Sequence, residues 1–382
     1  LACRPREPSP PTGPAGVGPA AAPPPQPCPP SASPPRELRE GFLPVGTLLS
    51  ASLDTALEPV DADALQALVT TAQRERSTAL IVIQDGRLLI EEYFGQDADR
   101  RQLAMSVSKS VTALALGMLV DAEHLQLDAP LSLGPVPEWA DTDKQAITLR
   151  HLMAHASGLA GTRYNTVATT PQPTIEAHGV QTALEQPPGT RFEYNNNAYD
   201  LLGVVARRAH PEKLPLDDQL QATLFGALGV RGAFWLKDRL GDPRAAGELL
   251  IRPIDLAKIG QLVLDDGRWQ GEQLVSANFV ATMLAASPLN PSYGMGWWRN
   301  GRMSSRGVLT PHAYRADGYL GQYVIVVPSH RLVVVRMRDP RVTSWDDSVG
   351  TYRELVWDVL ALAGISVPPE ERGVPAPAPS DG

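Results

Sequence analysis

Apolar positions recur along this chain with two different periods. Leu65, Leu68, Val69 and Ala72 follow the i, i+3, i+4, i+7 spacing of a helix with one buried face. Asp61, just before them, has the side chain of an N-cap. Thr78–Ile83 and Arg87–Tyr93 are instead rich in β-formers and flank Asp85-Gly86, a pair that accepts the positive φ of a tight hairpin. From Ser106 to Asp121, the residues Val107, Val111, Leu114, Ala115, Met118 and Leu119 predict a helix with one wide buried face. Further helices are predicted at Leu149–Ala156, closed by Gly158, at Ala198–Arg208, and from Pro253 to Leu264, closed by Asp266-Gly267. The last third returns to strands, Gly321–Val327 and Arg331–Met337, joined by Pro328-Ser329-His330, before a final helix at Tyr352–Leu362.

Two strand groups far apart in sequence predict one antiparallel sheet completed by both ends of the chain, with the helical middle clustered beside it. The fold class is therefore α/β in the α+β sense: an antiparallel sheet flanked by helices, with a mainly helical subdomain within about residues 122–250 of a domain spanning 45–365. Residues 1–44 are dominated by Pro, Ala and Ser and cannot bury a core, which predicts an extended tether. Residues 366–382 are again Pro-rich and predict a loose tail. Leu1-Ala2-Cys3 resembles the end of a bacterial lipoprotein signal. A lipid on Cys3 would make this an exported, periplasmic or membrane-tethered protein, the other reading being a trimmed start.

Composition narrows the chemistry. Apolar residues make up 43% of the 382 and charged residues 20%, enough to bury a sizeable core. A net charge of -8 without a Lys/Arg cluster argues against nucleic acid as a partner. The only cysteines, Cys3 and Cys28, lie in the tether, so the folded part has no thiol nucleophile, disulfide or cysteine metal site. No apolar run approaches the roughly 18 residues of a membrane span. His151 and His155 are four apart, a metal-ligand spacing, but the Glu of His-Glu-x-x-His is missing and no metal is expected. No Gly-x-Ser-x-Gly elbow, Gly-x-Gly-x-x-Gly run or phosphate loop occurs, so an α/β-hydrolase fold is disfavoured and no cofactor is expected.

Three short motifs carry chemistry. Ser106 begins a predicted helix, and Lys109 three residues on shares its face. A serine hydroxyl needs a base, and a lysine serves only if burial or a neighbouring cation lowers its pKa; a Ser N-cap beside a solvated lysine is the alternative. Tyr194-Asn195-Asn196 precedes an apolar helix. A tyrosine there could pass a proton, and Asn196 could hold the lysine or a substrate carbonyl, although Asn also simply favours turns. Ala316-Asp317-Gly318-Tyr319-Leu320-Gly321 enters a β-run. Glycines at the start of an edge strand would let a substrate approach the backbone, or would merely make a turn.

These motifs, in this order, resemble those of serine β-lactamases and penicillin-binding proteins. Met105–Ser110, Leu127–Leu131, Ile147–Gly158, Pro188–Asn197, Ile254–Gly260 and Gly318–Tyr323 extend the resemblance across about residues 45–365, to a large β-lactamase-related hydrolase family. The Gly318–Gln322 stretch looks most like its 6-aminohexanoate-dimer hydrolase branch. The resemblance implies that Ser106 attacks an ester or amide carbonyl while Lys109 and Tyr194 handle the proton. It further implies that Asn196 orients Lys109 or the substrate amide, and that the main-chain N–H groups of Ser106 and of Tyr319 or a neighbour, past Gly318, hold the oxyanion. Tyr164 would line the cleft, and Trp297 and Trp298 would form core or cleft wall. The slot that is usually Lys or His in the third motif is Ala316, which argues for an ester or neutral amide, not a β-lactam. A β-lactamase or D-amino-acid peptidase of the same fold, and a non-catalytic tethered binding or sensing module, are the competing readings.

Overall fold

The computed structural model describes residues 47, 49, 62–161, 174–300, 313–339, 355, 358–359 and 361–362. Cys3, Cys28, Asp61 and Tyr164 lie outside them, so the lipid, capping and cleft-lining expectations fall outside the described residues. The elements run α1 (Ala62–Arg74), β1 (Ser77–Gln84), β2 (Arg87–Tyr93), β3 (Gln102–Leu103), a 3-10 turn at Met105–Val107 and α2 (Ser108–Asp121). Then come α3 (Leu149–Met153), α4 (Ile175–Gln181), α5 (Asn196–Ala209), α6 (Leu216–Ala222), α7 (Leu224–Leu228), β4 (Phe234–Trp235) and β5 (Leu249–Ile251). The chain closes through α8 (Pro253–Leu264), β6 (Arg268–Trp269), β7 (Glu272–Gln273), α9 (Ala277–Leu284), β8 (Trp298–Asn300), β9 (Ala313–Gly318), β10 (Gln322–Val327) and β11 (Leu332–Arg338).

Among the described residues the main sheet has six strands in the order β2-β1-β11-β10-β9-β8, and every pairing is antiparallel. Both chain ends therefore complete one sheet, as the strand groups predict. Asp85 and Gly86 take φ of 46° and 75°, the left-handed values expected at the β1–β2 turn. Alternate side chains of the central strands feed two cores. Leu80, Val82, Ile325 and Val334 pack with α1 residues Leu68 and Ala72 and with Leu355, Val359 and Leu362. Ile81, Ile83, Val324, Val326, Val333 and Val335 face the helical side. There Gly260 of α8 allows close approach, since a Cβ would stand 2.6 Å from Val333 Cγ1.

Several elements differ from expectation. α2 is buried on nearly every side, not along one stripe, because it runs through the centre of the helical cluster against α5, α6 and α9. α3 stops at Met153, short of Ala156, and His155 lies beyond it with φ 55°, so His151 and His155 do not share a helix. Ala316–Gly318 end a strand instead of starting one. β9 is internal, with β10 on one side and β8 on the other. Of the final helix, Leu355, Asp358, Val359, Ala361 and Leu362 are helical, and its other residues lie outside the described set. The small sheet β3-β5-β4 carries no period long enough to read from the sequence.

Candidate active site

Met105 has φ 51°, which turns the chain sharply before Ser106 enters the 3-10 turn that leads into α2. That corner is fastened from two sides. The Ser108 hydroxyl donates to Met105 O (2.6 Å) and accepts from Leu249 N (3.2 Å), and Ala104 N donates to Leu249 O (2.8 Å). Gly318, at the end of β9, abuts the same corner: a Cβ there would lie 2.6 Å from Ala104 O. The glycine is thus required by the chain's own backbone, which is a different reason from the substrate approach expected of it.

Lys109 follows on the first turn of α2 and is 1% exposed. Its amine donates to Ser106 Oγ (3.1 Å), Asn196 Oδ1 (2.8 Å) and Ala246 O (2.5 Å). Burial lowers its pKa from the ordinary lysine range to about 7, against the opposite pull of the Asp200 carboxylate. Asn196 opens α5, whose N-cap is Asn195, with the Asn195 side chain accepting from Ala198 N (3.0 Å).

Tyr194, two residues before Asn196, is hydrogen-bonded to Ser106 and lies under the Lys109 amine, 4.8 Å from its ring centroid. Burial raises its pKa above the ordinary phenol value, and the nearby Asp317 raises it further, while the Ser106 hydrogen bond lowers it. The tyrosine is therefore a neutral phenol at neutral pH, suited to giving a proton. His155 holds it from behind. The His155 ring lies 4.3 Å from the Tyr194 ring, its carbonyl accepts from Glu193 N (2.8 Å), and its Nδ1 accepts from Asn195 N (3.2 Å). Burial keeps this imidazole well below its usual pKa, hence neutral. Trp298 stacks with Tyr194 at 6.1 Å, and Trp297 is fully buried, so the pair divides into wall and core.

The structure thus brings Ser106, Lys109, Tyr194 and Asn196 together. Gly318 adjoins them, and Tyr319 stands at the surface with 54% exposure. Ala316 is fully buried, and Asp317 beside it pairs with Arg315 at 3.3 Å. Among the described residues no group of three or more His, Cys, Asp or Glu side chains could hold a metal ion.

Three participants were missed in the sequence. Ala246 contributes only backbone, for which no side-chain signal exists. The spacing of His155 from His151 suggests a metal ligand, whereas the structure makes it a brace for Tyr194. Asp200, 1% exposed, was visible as an acid in the apolar run from Ala198 to Val205, four residues after Asn196 and so on the same helix face. Its carboxylate accepts from Ala246 N (2.8 Å).

The Beta-lactamase family model matches residues 61–352. A 6-aminohexanoate-dimer hydrolase from Paenarthrobacter ureafaciens is 26% identical over 344 residues, covering 80% of this chain and 83% of that protein. Esterase EstB from Burkholderia gladioli is 30% identical over 221 residues, covering 48% and 55%. Among solved structures, a putative 6-aminohexanoate-dimer hydrolase from Bacillus anthracis superposes with a TM-score of 0.67 at 19% identity, covering 85% of this chain and 92% of that one.

Proposed function

The chain belongs to the beta-lactamase family, a family of hydrolases, and from that premise we propose that it is a serine hydrolase cleaving esters or amides through an acyl-enzyme on Ser106. One observation carries the reading. As an ammonium, Lys109 donates to Ser106 Oγ, Asn196 Oδ1 and Ala246 O; once it has lost a proton, Asn196 and Ala246 remain acceptors for its two N–H groups and its lone pair faces the Ser106 hydroxyl 3.1 Å away. A lysine with its pKa near 7 carries that lone pair at working pH.

Ser106 Oγ attacks the substrate carbonyl carbon as Lys109 Nζ takes its proton. The bond to the leaving group breaks as the Tyr194 phenol gives that group a proton and is reprotonated from Lys109. Water then attacks the acyl-enzyme, losing its proton to the Lys109–Tyr194 pair, and Ser106 departs protonated with release of the acid. The main-chain N–H groups of Ser106 and Tyr319 are assigned to the oxyanion, each worth about 3 kcal/mol in the barrier. Ala316 puts no cation in the third-motif slot, and the neighbouring Arg315 is paired with Asp317, which favours substrates without a carboxylate next to the scissile bond. The names of the two curated relatives, an esterase and a dimer hydrolase, fit that class.

Intact mass after exposure to a fluorophosphonate tests the assignment. A single adduct on the wild type, absent from Ser106→Ala, is the expected result; an adduct on both, or turnover retained by the variant, overturns it. Short-chain aryl esters should turn over faster than cephalosporins, and the reverse order would defeat the reading of Ala316.

A further inference from the structure

Lys109 and Asp200 sit on either side of one residue. The carbonyl of Ala246 accepts from Lys109 Nζ (2.5 Å), and the N–H of Ala246 donates to Asp200 Oδ1 (2.8 Å). Asn196, the other carbonyl ligand of the amine, lies one turn before Asp200 on α5. The strand of chain that carries Ala246 is fastened again at Ala245, whose carbonyl accepts from Thr112 (3.0 Å) on α2. Asp200 therefore grips the backbone that grips the amine, and it does so from a position 1% exposed, where a carboxyl is kept only at a cost in solvation.

The geometry points to Asp200 as a positioning residue for the reaction: it anchors the Ala246 backbone that fixes the Lys109 amine, and its carboxylate sets the charge that the amine carries. This rests on the proposed role of Lys109 as the base. Burial raises Asp200 to about 7, opposed by the Ala246 N–H and by the Lys109 cation, while Lys109 is lowered to about 7 and pulled back up by Asp200. Burial thus disfavours both charges, and each charge favours the other across the Ala246 peptide.

Other titratable groups among the described residues face the pair. His155, beyond α3, is neutral through burial. Tyr194, Tyr199 on α5 and Tyr293 before β8 all have raised pKa values and carry no charge at neutral pH. Arg244 and Glu248, on the Ala246 segment, pair with each other at 3.2 Å, and Asp317 on β9 pairs with Arg315. Asp200 is left as the anion whose charge moves with that of Lys109.

The test is the rate constant for fluorophosphonate inactivation as a function of pH, for the wild type, Asp200→Asn and Asp200→Ala. Asparagine keeps an oxygen for the Ala246 N–H and removes the charge. Without that charge Lys109 loses its proton more easily, so the acid limb should move by about 1 pH unit toward acid, the lower end of the effect of a neighbouring opposite charge. The alkaline plateau should fall less than about tenfold in Asp200→Asn and further in Asp200→Ala, which also lacks the anchor. An unmoved limb in Asp200→Asn, or identical plateaus for the two variants, overturns the inference. If the wild type itself is not labelled at Ser106, the proposed function fails instead, so the two failures are distinct. Should Asp200→Asn not fold, the carboxyl of Asp200 is followed by carbon-13 titration in the wild type and in Lys109→Met. Its midpoint should move toward alkaline pH when the cation is removed, and an unchanged midpoint would sink the idea.

Discussion

Two charge clusters, one buried around Lys109 and one half-buried around the buried Asp242, tie α5 to the same stretch of chain, and they treat their cations in opposite ways. At the start of α5, the Lys109 amine is held by neutral carbonyl oxygens from Asn196 and Ala246, with the Asp200 acid one peptide away. Near its end, Arg207 contacts Asp242 directly, through Nε (2.6 Å) and Nη2 (3.0 Å), and also Glu176, while Arg208 joins Glu138 and Glu176. Asp242 and Ala246 are four residues apart. Carboxylates in direct contact lock the charge, and both arginines have their pKa raised, chiefly by those hydrogen bonds. Carbonyls in contact fix the position and leave the charge free to change. The first arrangement fastens α4, α5 and the 238–242 turn together; the second makes a base.

Removing each cation separates the two. Lys109→Met should lower kcat/KM by about 10³-fold or more, toward the upper range for a lost proton-transfer group, with a melting temperature near that of the wild type. Arg207→Met should do the reverse, costing about 3 kcal/mol in chemical denaturation because it strands the fully buried Asp242, while the pH dependence of the folded enzyme stays put. The pH dependence itself is expected to show an acid limb of kcat/KM near pH 7, since Lys109 acts only as the free amine and protonates below that value. Asn196→Asp would import the locking arrangement into the active cluster: a carboxylate against the amine should hold its proton and move that limb about 1 pH unit toward alkaline. A limb that stays in place would show that direct carboxylate contact is not what distinguishes the clusters. The exposed pair Arg150–Asp128, at 2.6 Å, is the control; Asp128→Asn should change stability by less than about 1 kcal/mol and leave kcat/KM unaltered.

Side chains with a sequence signature were found early, and backbone was not. The hairpin at Asp85-Gly86, the α8 span and the β10–β11 pair were legible because turn chemistry and apolar period agree there. Ser106, Lys109, Tyr194 and Asn196 were legible as motifs. α2 is buried more widely than its apolar stripe predicts, because Ser108, Ser110 and Thr112 are buried as well, with hydroxyls bonded to Met105 O, Gly296 O and Ala245 O. Of the two glycines expected to lead into a strand, Gly321 does precede β10, whereas Gly318 marks the end of the internal strand β9 against Ala104. Gly296 was unreadable for a similar reason. With φ 80°, it leaves room for the Tyr199 hydroxyl, which a Cβ would meet at 2.5 Å, and that hydroxyl is bonded to Lys109 O.

The pairing of β1 with β11 sets the order in which this protein can come into being. Ser77 lies opposite Arg338, and every residue of β1 from Ser77 to Ile83 is buried. At a synthesis rate of about 5–20 residues per second, the partner strand emerges about 13–50 s after β1. Throughout that interval β1 has β2 on one edge and nothing on the other, and the apolar faces of the sheet lack β10 and β11. Closure of the main sheet is therefore a late, non-local event, slow by topology and dependent on β11, the last strand among the described residues.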